Sequence, residues 1–99
     1  MFKLELKFQN ITLTEYTLQD GTTLSIGRDP KNDIVLDEPS VSRDHAYIER
    51  TGNNVFLWDK GSSRGTYVNG NPVDAATVRN GDVISVGVKH NLTASIPSE

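Results

Sequence analysis

Phe2-Lys3-Leu4-Glu5-Leu6-Lys7-Phe8-Gln9 alternates apolar and polar residues without a break. Successive side chains on a strand point to opposite faces, so this stretch reads as a β-strand with one face buried and one wet. The same period of two continues down the chain. Tyr16 and Leu18 share a face within 15–19. After a turn at Asp20-Gly21, Leu24 and Ile26 point inward within 22–28. Ile34-Val35-Leu36 is a short strand behind the turn-rich Asp29-Pro30-Lys31-Asn32-Asp33. Residues 45–50 and 55–59 flank Thr51-Gly52-Asn53-Asn54 as a hairpin, in a loop whose residues tolerate positive φ. Thr66-Tyr67-Val68 runs into a turn at Asn69-Gly70, Asn80-Gly81-Asp82 turns into 83–86, and a last strand covers 91–96. No ten-residue segment carries a helical period. Roughly ten short strands punctuated by turns predict an all-β, two-sheet antiparallel sandwich. The domain is expected to occupy 1–96, with 97–99 as a tail.

Composition narrows the function. A chain of 99 residues holds one modest core. With 7% aromatic residues, that core rests on Val, Ile and Leu. A formal charge of -3 gives no general attraction to nucleic acid or to an anionic membrane, so neither is expected as a partner. The absence of cysteine removes disulfides, thiolate metal sites and cysteine nucleophiles, and fits a reducing, cytoplasmic setting. No apolar run approaches the ~20 residues of a membrane helix, and the opening residues are not a signal peptide. The start at Met1 suggests that nothing precedes the domain. Asn10-Ile11-Thr12 and Asn91-Leu92-Thr93 match the glycosylation pattern by chance. The antiparallel faces show no extended apolar stripe beyond the core, and the isolated domain is expected to be monomeric.

Against this acidic background, three stretches set an arginine among small or hydroxylic residues: Ile26-Gly27-Arg28, Ser40-Val41-Ser42-Arg43-Asp44-His45 and Gly61-Ser62-Ser63-Arg64-Gly65-Thr66. Small residues free backbone N–H groups, serines add hydroxyls, and each guanidinium is a planar fork of donors; together they suit a discrete phosphate. Two strands separate the second stretch from the third, which returns the chain to the same end of a sandwich. Simple alternation puts Arg28 at the opposite end, and strand counting leaves its place open.

Gly27-Arg28, Ser42-x-x-His45 and Gly65-Thr66-Tyr67-Val68-Asn69-Gly70, in this order and spacing, resemble the forkhead-associated (FHA) domain. The similarity takes in Asn32-Asp33-Ile34 and Asn80-Gly81-Asp82-Val83-Ile84, and covers residues 4–88. Each motif is weak alone; in register they are specific. FHA domains are arginine-cluster readers of phosphorylated motifs. The resemblance implies an eleven-stranded sandwich with the three loops at one end, Arg28 included. It implies recognition of a phosphothreonine in an extended peptide of a partner protein, the product of a Ser/Thr kinase, with the third residue after it often adding selectivity. No cofactor, metal or catalysis is implied.

Residue by residue, Arg28 matches the family's phosphate-binding arginine, the alternative being a salt bridge to Asp29 or Asp33. Ser42 matches the serine whose hydroxyl and backbone N–H donate to phosphate, and Arg43 follows it as a further phosphate-facing base. Ser63 aligns with a hydroxyl donor, and Ser62 stands ready to assist. His45 matches a loop brace. Gly27, Gly65 and Thr66 are architectural, and Asn69 is divided between peptide contact and scaffold. Arg64 departs from the family, where asparagine is common; it either reinforces the phosphate grip or reaches an acidic residue beyond it.

Other side chains carry plainer readings. His90 is expected as an exposed strand residue, and Trp58 on the outer face of its sheet. Asp33, Asp37 and Glu38 have the spacing of metal ligands, but turn polarity accounts for them. Two other functions remain to be weighed. A hydrolase would use Ser42 as nucleophile and His45 as base with Asp44 nearby, yet adjacent residues at a strand start point to opposite faces. An FHA-fold scaffold would bind a partner, or its own parent chain, independently of phosphate.

Overall fold

The computed structural model describes residues 1–97, and Ser98 and Glu99 of the expected tail lie outside them. Eleven strands run through the described residues: β1 (Lys3–Phe8), β2 (Ile11–Thr17), β3 (Thr23–Gly27), β4 (Ile34–Val35), β5 (Ala46–Thr51), β6 (Asn54–Asp59), β7 (Thr66–Val68), β8 (Asn71–Val73), β9 (Ala75–Val78), β10 (Val83–Val86) and β11 (His90–Ser95). They form a six-stranded sheet in the order β2-β1-β11-β10-β7-β8 and a five-stranded sheet in the order β4-β3-β5-β6-β9.

The opening alternation does what its period requires. Leu4 and Leu6 of β1 are buried, while Lys3, Glu5 and Lys7 between them are half-exposed. Leu18, Ile26, Ile34, Ile48, Leu57, Ile84, Val86 and Leu92 close the core from both sheets, each at most 1% exposed. Burying such aliphatic side chains stabilises the sandwich by about 1.5–3 kcal/mol apiece before the entropy of ordering is set against it. Trp58 lies out of phase with Val55 and Leu57 and stacks on Tyr47 across the β5–β6 ladder, with ring centroids 4.9 Å apart.

Three departures from the pattern have local causes. β2 begins at Ile11 rather than near residue 15, because Gln9 and Asn10 both adopt positive φ (49° and 68°) and close a primed hairpin turn without a glycine. β8 and β9 are short and carry no clean alternation, which is why periodicity does not reveal them. The third is the pairing of β3 with β4, which is parallel: Ile26 faces Ile34 and Gly27 faces Val35. The chain leaves β3 at Gly27, folds back through 28–33, and restarts in the same direction. Asp33 fixes the return, its carboxylate accepting bonds from the Ser25 N–H and hydroxyl at 2.9 and 3.1 Å. Two successive segments therefore end at the same end of the sandwich, and the alternation argument against Arg28 fails for that reason.

His90 also corrects its expectation. It is buried, edge-on to Phe8, and its Nδ1 lies 2.6 Å from Glu38 Oε2. Glu38 Oε1 accepts the Val88 N–H at 2.6 Å and the Lys89 N–H at 3.3 Å, and also bonds the Ser40 hydroxyl. One buried carboxylate thus ties loop 38–40 to loop 87–89. Gly87 makes this approach feasible: its φ is +75°, and a Cβ there would sit 2.1 Å from Glu38 Oε1.

Gly87→Ala is expected to destabilise the domain by about 1–3 kcal/mol in urea unfolding, through overpacking and a strained φ. Burial pushes the Glu38 carboxyl up, but bonds from Ser40, His90, Val88 and Lys89 outweigh it and hold the pKa at about 2. A depressed carboxylate stabilises the fold above its unfolded pKa and loses that contribution as pH falls through the folded value. Between pH 4.5 and 2, Glu38→Gln is therefore expected to lose less stability than the unaltered protein, as read by acid titration of thermal unfolding.

Candidate functional site: three loops at one end of the sandwich

Gly27 is where the site starts. Its Cα packs so tightly that a Cβ would meet the Arg43 carbonyl oxygen at 2.1 Å and Asn32 Nδ2 at 2.6 Å. That closeness lets loop 28–33 lie directly on loop 40–45. The Arg28 N–H donates to Ser42 O at 3.0 Å and the Asp29 N–H to Arg43 O at 3.3 Å, while Asn32 Nδ2 bridges Asp29 O and Arg43 O. Arg28 is exposed, yet its Nε–H donates to Val41 O at 3.1 Å, which aims the guanidinium. Its two terminal nitrogens have no hydrogen-bond or ion-pair partner among the described residues. The salt-bridge alternative is not realised: Asp29 pairs with Arg43 and Lys31, and Asp33 with Ser25.

His45 joins the second loop to the third. It is fully buried, its own N–H donates to Ile26 O, and its Nδ1 accepts the Ser42 N–H at 3.0 Å. An Nδ1 that accepts leaves the proton on Nε2, which donates to Gly65 O at 2.9 Å. Ser42 therefore differs from the expectation in one respect. Its backbone N–H is engaged by the imidazole, so only its hydroxyl faces outward. That oxygen accepts the Ser63 N–H at 3.1 Å, leaving the O–H free to donate. Ser63 is exposed and its own hydroxyl has no partner among the described residues.

The third loop hangs on Asp59, a residue not singled out from the sequence. One Asp59 oxygen accepts the Gly61 and Ser62 N–H groups at 2.9 and 3.0 Å, the other the Ser62 and Thr66 hydroxyls at 2.5 and 2.8 Å. Burial pushes the Asp59 carboxyl up, but these four donors outweigh it and hold it below the usual range. Ser62 Oγ also accepts the Gly65 N–H, so its hydroxyl belongs to the scaffold rather than to a ligand. Asp-Lys-Gly-Ser at 59–62 is an Asx-turn pattern, and that was the available signal. Gly65 takes φ +86° to enter β7, and Thr66 is buried behind it.

Arg28, Ser42, Arg43, Ser63 and Arg64 thus belong to loops bonded directly to one another. Arg43 is 74% exposed with a 3.7 Å contact to Asp29, a pair weak enough to yield to a stronger anion. Arg64 has no partner among the described residues. Asn69 is not with them. It lies beyond the far end of β7, with Nδ2 donating to Asp82 and Oδ1 accepting the Val83 N–H. Both ends of its amide tie the β7–β8 turn to the start of β10.

The hydrolase alternative is excluded by the same geometry. Neither imidazole nitrogen of His45 remains for the Ser42 hydroxyl, and Asp44 is exposed with no bond to His45. The arrangement supplies fixed cationic and hydroxyl donors at an open surface, a chemistry suited to an anion and not to proton transfer.

Comparison with known proteins identifies the family and the fold. The FHA domain family model matches residues 24–87. The glycogen accumulation regulator GarA of Mycolicibacterium smegmatis is 47% identical over 70 residues, covering 71% of this chain and 44% of the relative. The chain spans under half the length of that relative. Among solved structures, the FHA domain of CT664 from Chlamydia trachomatis matches with TM-score 0.87 and 32% identity over 98% of both chains. EmbR of Mycobacterium tuberculosis, in complex with a low affinity phosphopeptide, matches with TM-score 0.82 and 36% identity, covering 98% of this chain and 25% of that one. The chain belongs to the FHA domain family, non-catalytic modules that mediate protein–protein interaction and, at the family level, recognise phosphopeptides.

Proposed function

We propose that this domain binds phosphothreonine in an extended segment of a cytoplasmic partner protein, and so acts as a kinase-dependent docking module. The observation that carries the reading is Arg28, tethered through Nε to Val41 O with both terminal nitrogens unpaired among the described residues, on a backbone bonded directly to the Ser42 loop. A phosphothreonine brings about -1.5 to -2 charges and three acceptor oxygens near neutral pH. The Arg28 fork meets two of those oxygens, while the Ser42 and Ser63 hydroxyls and Arg43 serve the rest. EmbR, with its bound phosphopeptide, supports extending this reading from the family to the chain.

Charge-assisted hydrogen bonds contribute about 1.5–3 kcal/mol each. A few of them, less the entropy of ordering a flexible peptide, correspond to micromolar affinity. Most of that affinity then resides in the phosphate, which is what a switch requires. The braces contribute differently. His45 and Asp59 touch no ligand; they hold the donors in place before the peptide arrives.

Titration of the domain with a degenerate phosphothreonine peptide library, against its unphosphorylated and phosphoserine counterparts, is expected to give binding only to phosphopeptides. Arg28→Ala is expected to weaken it at least about tenfold, as the loss of one charge-assisted bond requires. Equal binding of unphosphorylated peptides, or full affinity in Arg28→Ala, would contradict the reading. His45→Ala is expected to lower both affinity and unfolding free energy, the latter by about 1–3 kcal/mol, since it strands the Ser42 N–H and the Gly65 carbonyl. Arg28→Ala, by contrast, is expected to leave the unfolding midpoint within about 0.5 kcal/mol of the unaltered domain.

A further inference from the structure

Arg64 stands between two clefts that meet along it and Val88. The first, about 320 Å³, lies between loop 38–40 and loop 87–89 and is lined by Pro39, Ser40, Arg64, Val88 and Lys89 over the Glu38 carboxylate. The second, about 200 Å³, continues past Arg64 and Val88 to Gly65, Gly87 and Tyr67. Arg64 directly follows Ser63, whose N–H bonds the Ser42 hydroxyl oxygen, so this groove opens one residue from the phosphate-facing donors. An extended peptide advances about 3.3 Å per residue, and its next few side chains reach the groove.

The chemistry of the lining is mixed in a particular way. Val88 is 77% exposed at a loop tip and Pro39 is exposed beside it, giving an aliphatic floor. Arg64 and Lys89 line the same cleft, both are exposed, and neither side chain has a hydrogen-bond or ion-pair partner among the described residues. The one carboxylate in the lining, Glu38, has both oxygens occupied by Ser40, Val88, Lys89 and His90 from beneath. Two cations face one buried anion, and the groove is left net positive. An aliphatic stem ending in a carboxylate matches both features; an amide lacks the charge, and a basic side chain is repelled.

We propose that Arg64 and Lys89 form a carboxylate-reading subsite that selects phosphothreonine peptides carrying a glutamate or aspartate near the phosphorylated residue. The proposal rests on the phosphopeptide reading above and names the class of partner sequence that site prefers. It gives Arg64 the second of its two sequence-based roles, reaching past the phosphate rather than reinforcing the grip on it.

The test is a fluorescence-anisotropy series with phosphothreonine peptides in which Glu, Gln, Leu and Lys are substituted singly at each of the four positions on either side. At least one position is expected to favour Glu over Gln by about three- to tenfold, a preference that shrinks as salt is raised from 0.05 to 0.5 M. Lys89→Gln is expected to reduce that Glu/Gln ratio while leaving the preference for phosphorylated over unphosphorylated peptide intact, and Arg64→Gln to bring the ratio close to one. Preference for Leu over Glu at every position would overturn the proposal in favour of an apolar pocket built on Val88 and Pro39. A flat profile, or a Glu preference unchanged in both variants, would also overturn it while leaving phosphothreonine recognition standing. Absence of any phosphate dependence would remove the underlying reading instead, and the unphosphorylated control identifies that case.

Discussion

The binding end depends on one buried imidazole. His45 accepts the Ser42 N–H on Nδ1 and donates from Nε2 to Gly65 O, joining two loops that are twenty residues apart in sequence. A backbone donor and a backbone acceptor, both partly buried, are satisfied by one rigid ring. Only an aromatic ring with a nitrogen on each side can do this in one tautomer. The cost is that both nitrogens are occupied, which leaves no imidazole nitrogen for proton transfer at Ser42. Asp59 does the equivalent within the third loop with a single carboxylate and four donors, and Glu38 does it between the loops that border the neighbouring groove. Buried braces thus hold the geometry, and exposed cations, unpartnered among the described residues at Arg64 and at the Arg28 terminal nitrogens, stand on the loops they join.

Topology supplies the remaining condition. An all-antiparallel meander would separate the loop after β3 from the loop before β5. The two-residue parallel pairing of β4 against β3 cancels that alternation and places Arg28 on the Ser42 loop, with Gly27 permitting the contact. The price is borne by short-range polar bonds: Asp33 to Ser25, and Asn32 to Asp29 and Arg43.

Much of this was legible in the chain because strand periodicity is local. The alternation at 2–9 and the glycine turns required nothing from distant residues, and the family motifs placed the three arginine loops together. What the sequence concealed was long-range pairing. The parallel β3–β4 contact is decided by Asp33 reaching Ser25, and nothing within residues 34–36 announces it. His90 reads as a solvent-facing strand residue until Glu38, fifty-two positions earlier, is seen beside it. Asp59 carried only the Asx-turn pattern of 59–62 as a local signal; half of its donors are backbone N–H groups, which have no letter in a sequence, and the Thr66 hydroxyl lies seven residues on. Asn69 and Ser62 have the right chemistry for ligand contact, and only their existing bonds reveal them as scaffold.

A loop cluster braced before the ligand arrives is expected to meet a phosphate with little rearrangement of those braces. Two-dimensional ¹H–¹⁵N spectra recorded during titration with one phosphothreonine peptide test it most directly. Large shifts are expected at the Arg28 side-chain Nε–H and at the Ser63 and Arg64 amides, with the His45 Nε2–H resonance visible and nearly unmoved throughout. Shifts centred instead on the Tyr47–Trp58 face, or the same shifts with the unphosphorylated peptide, would contradict it.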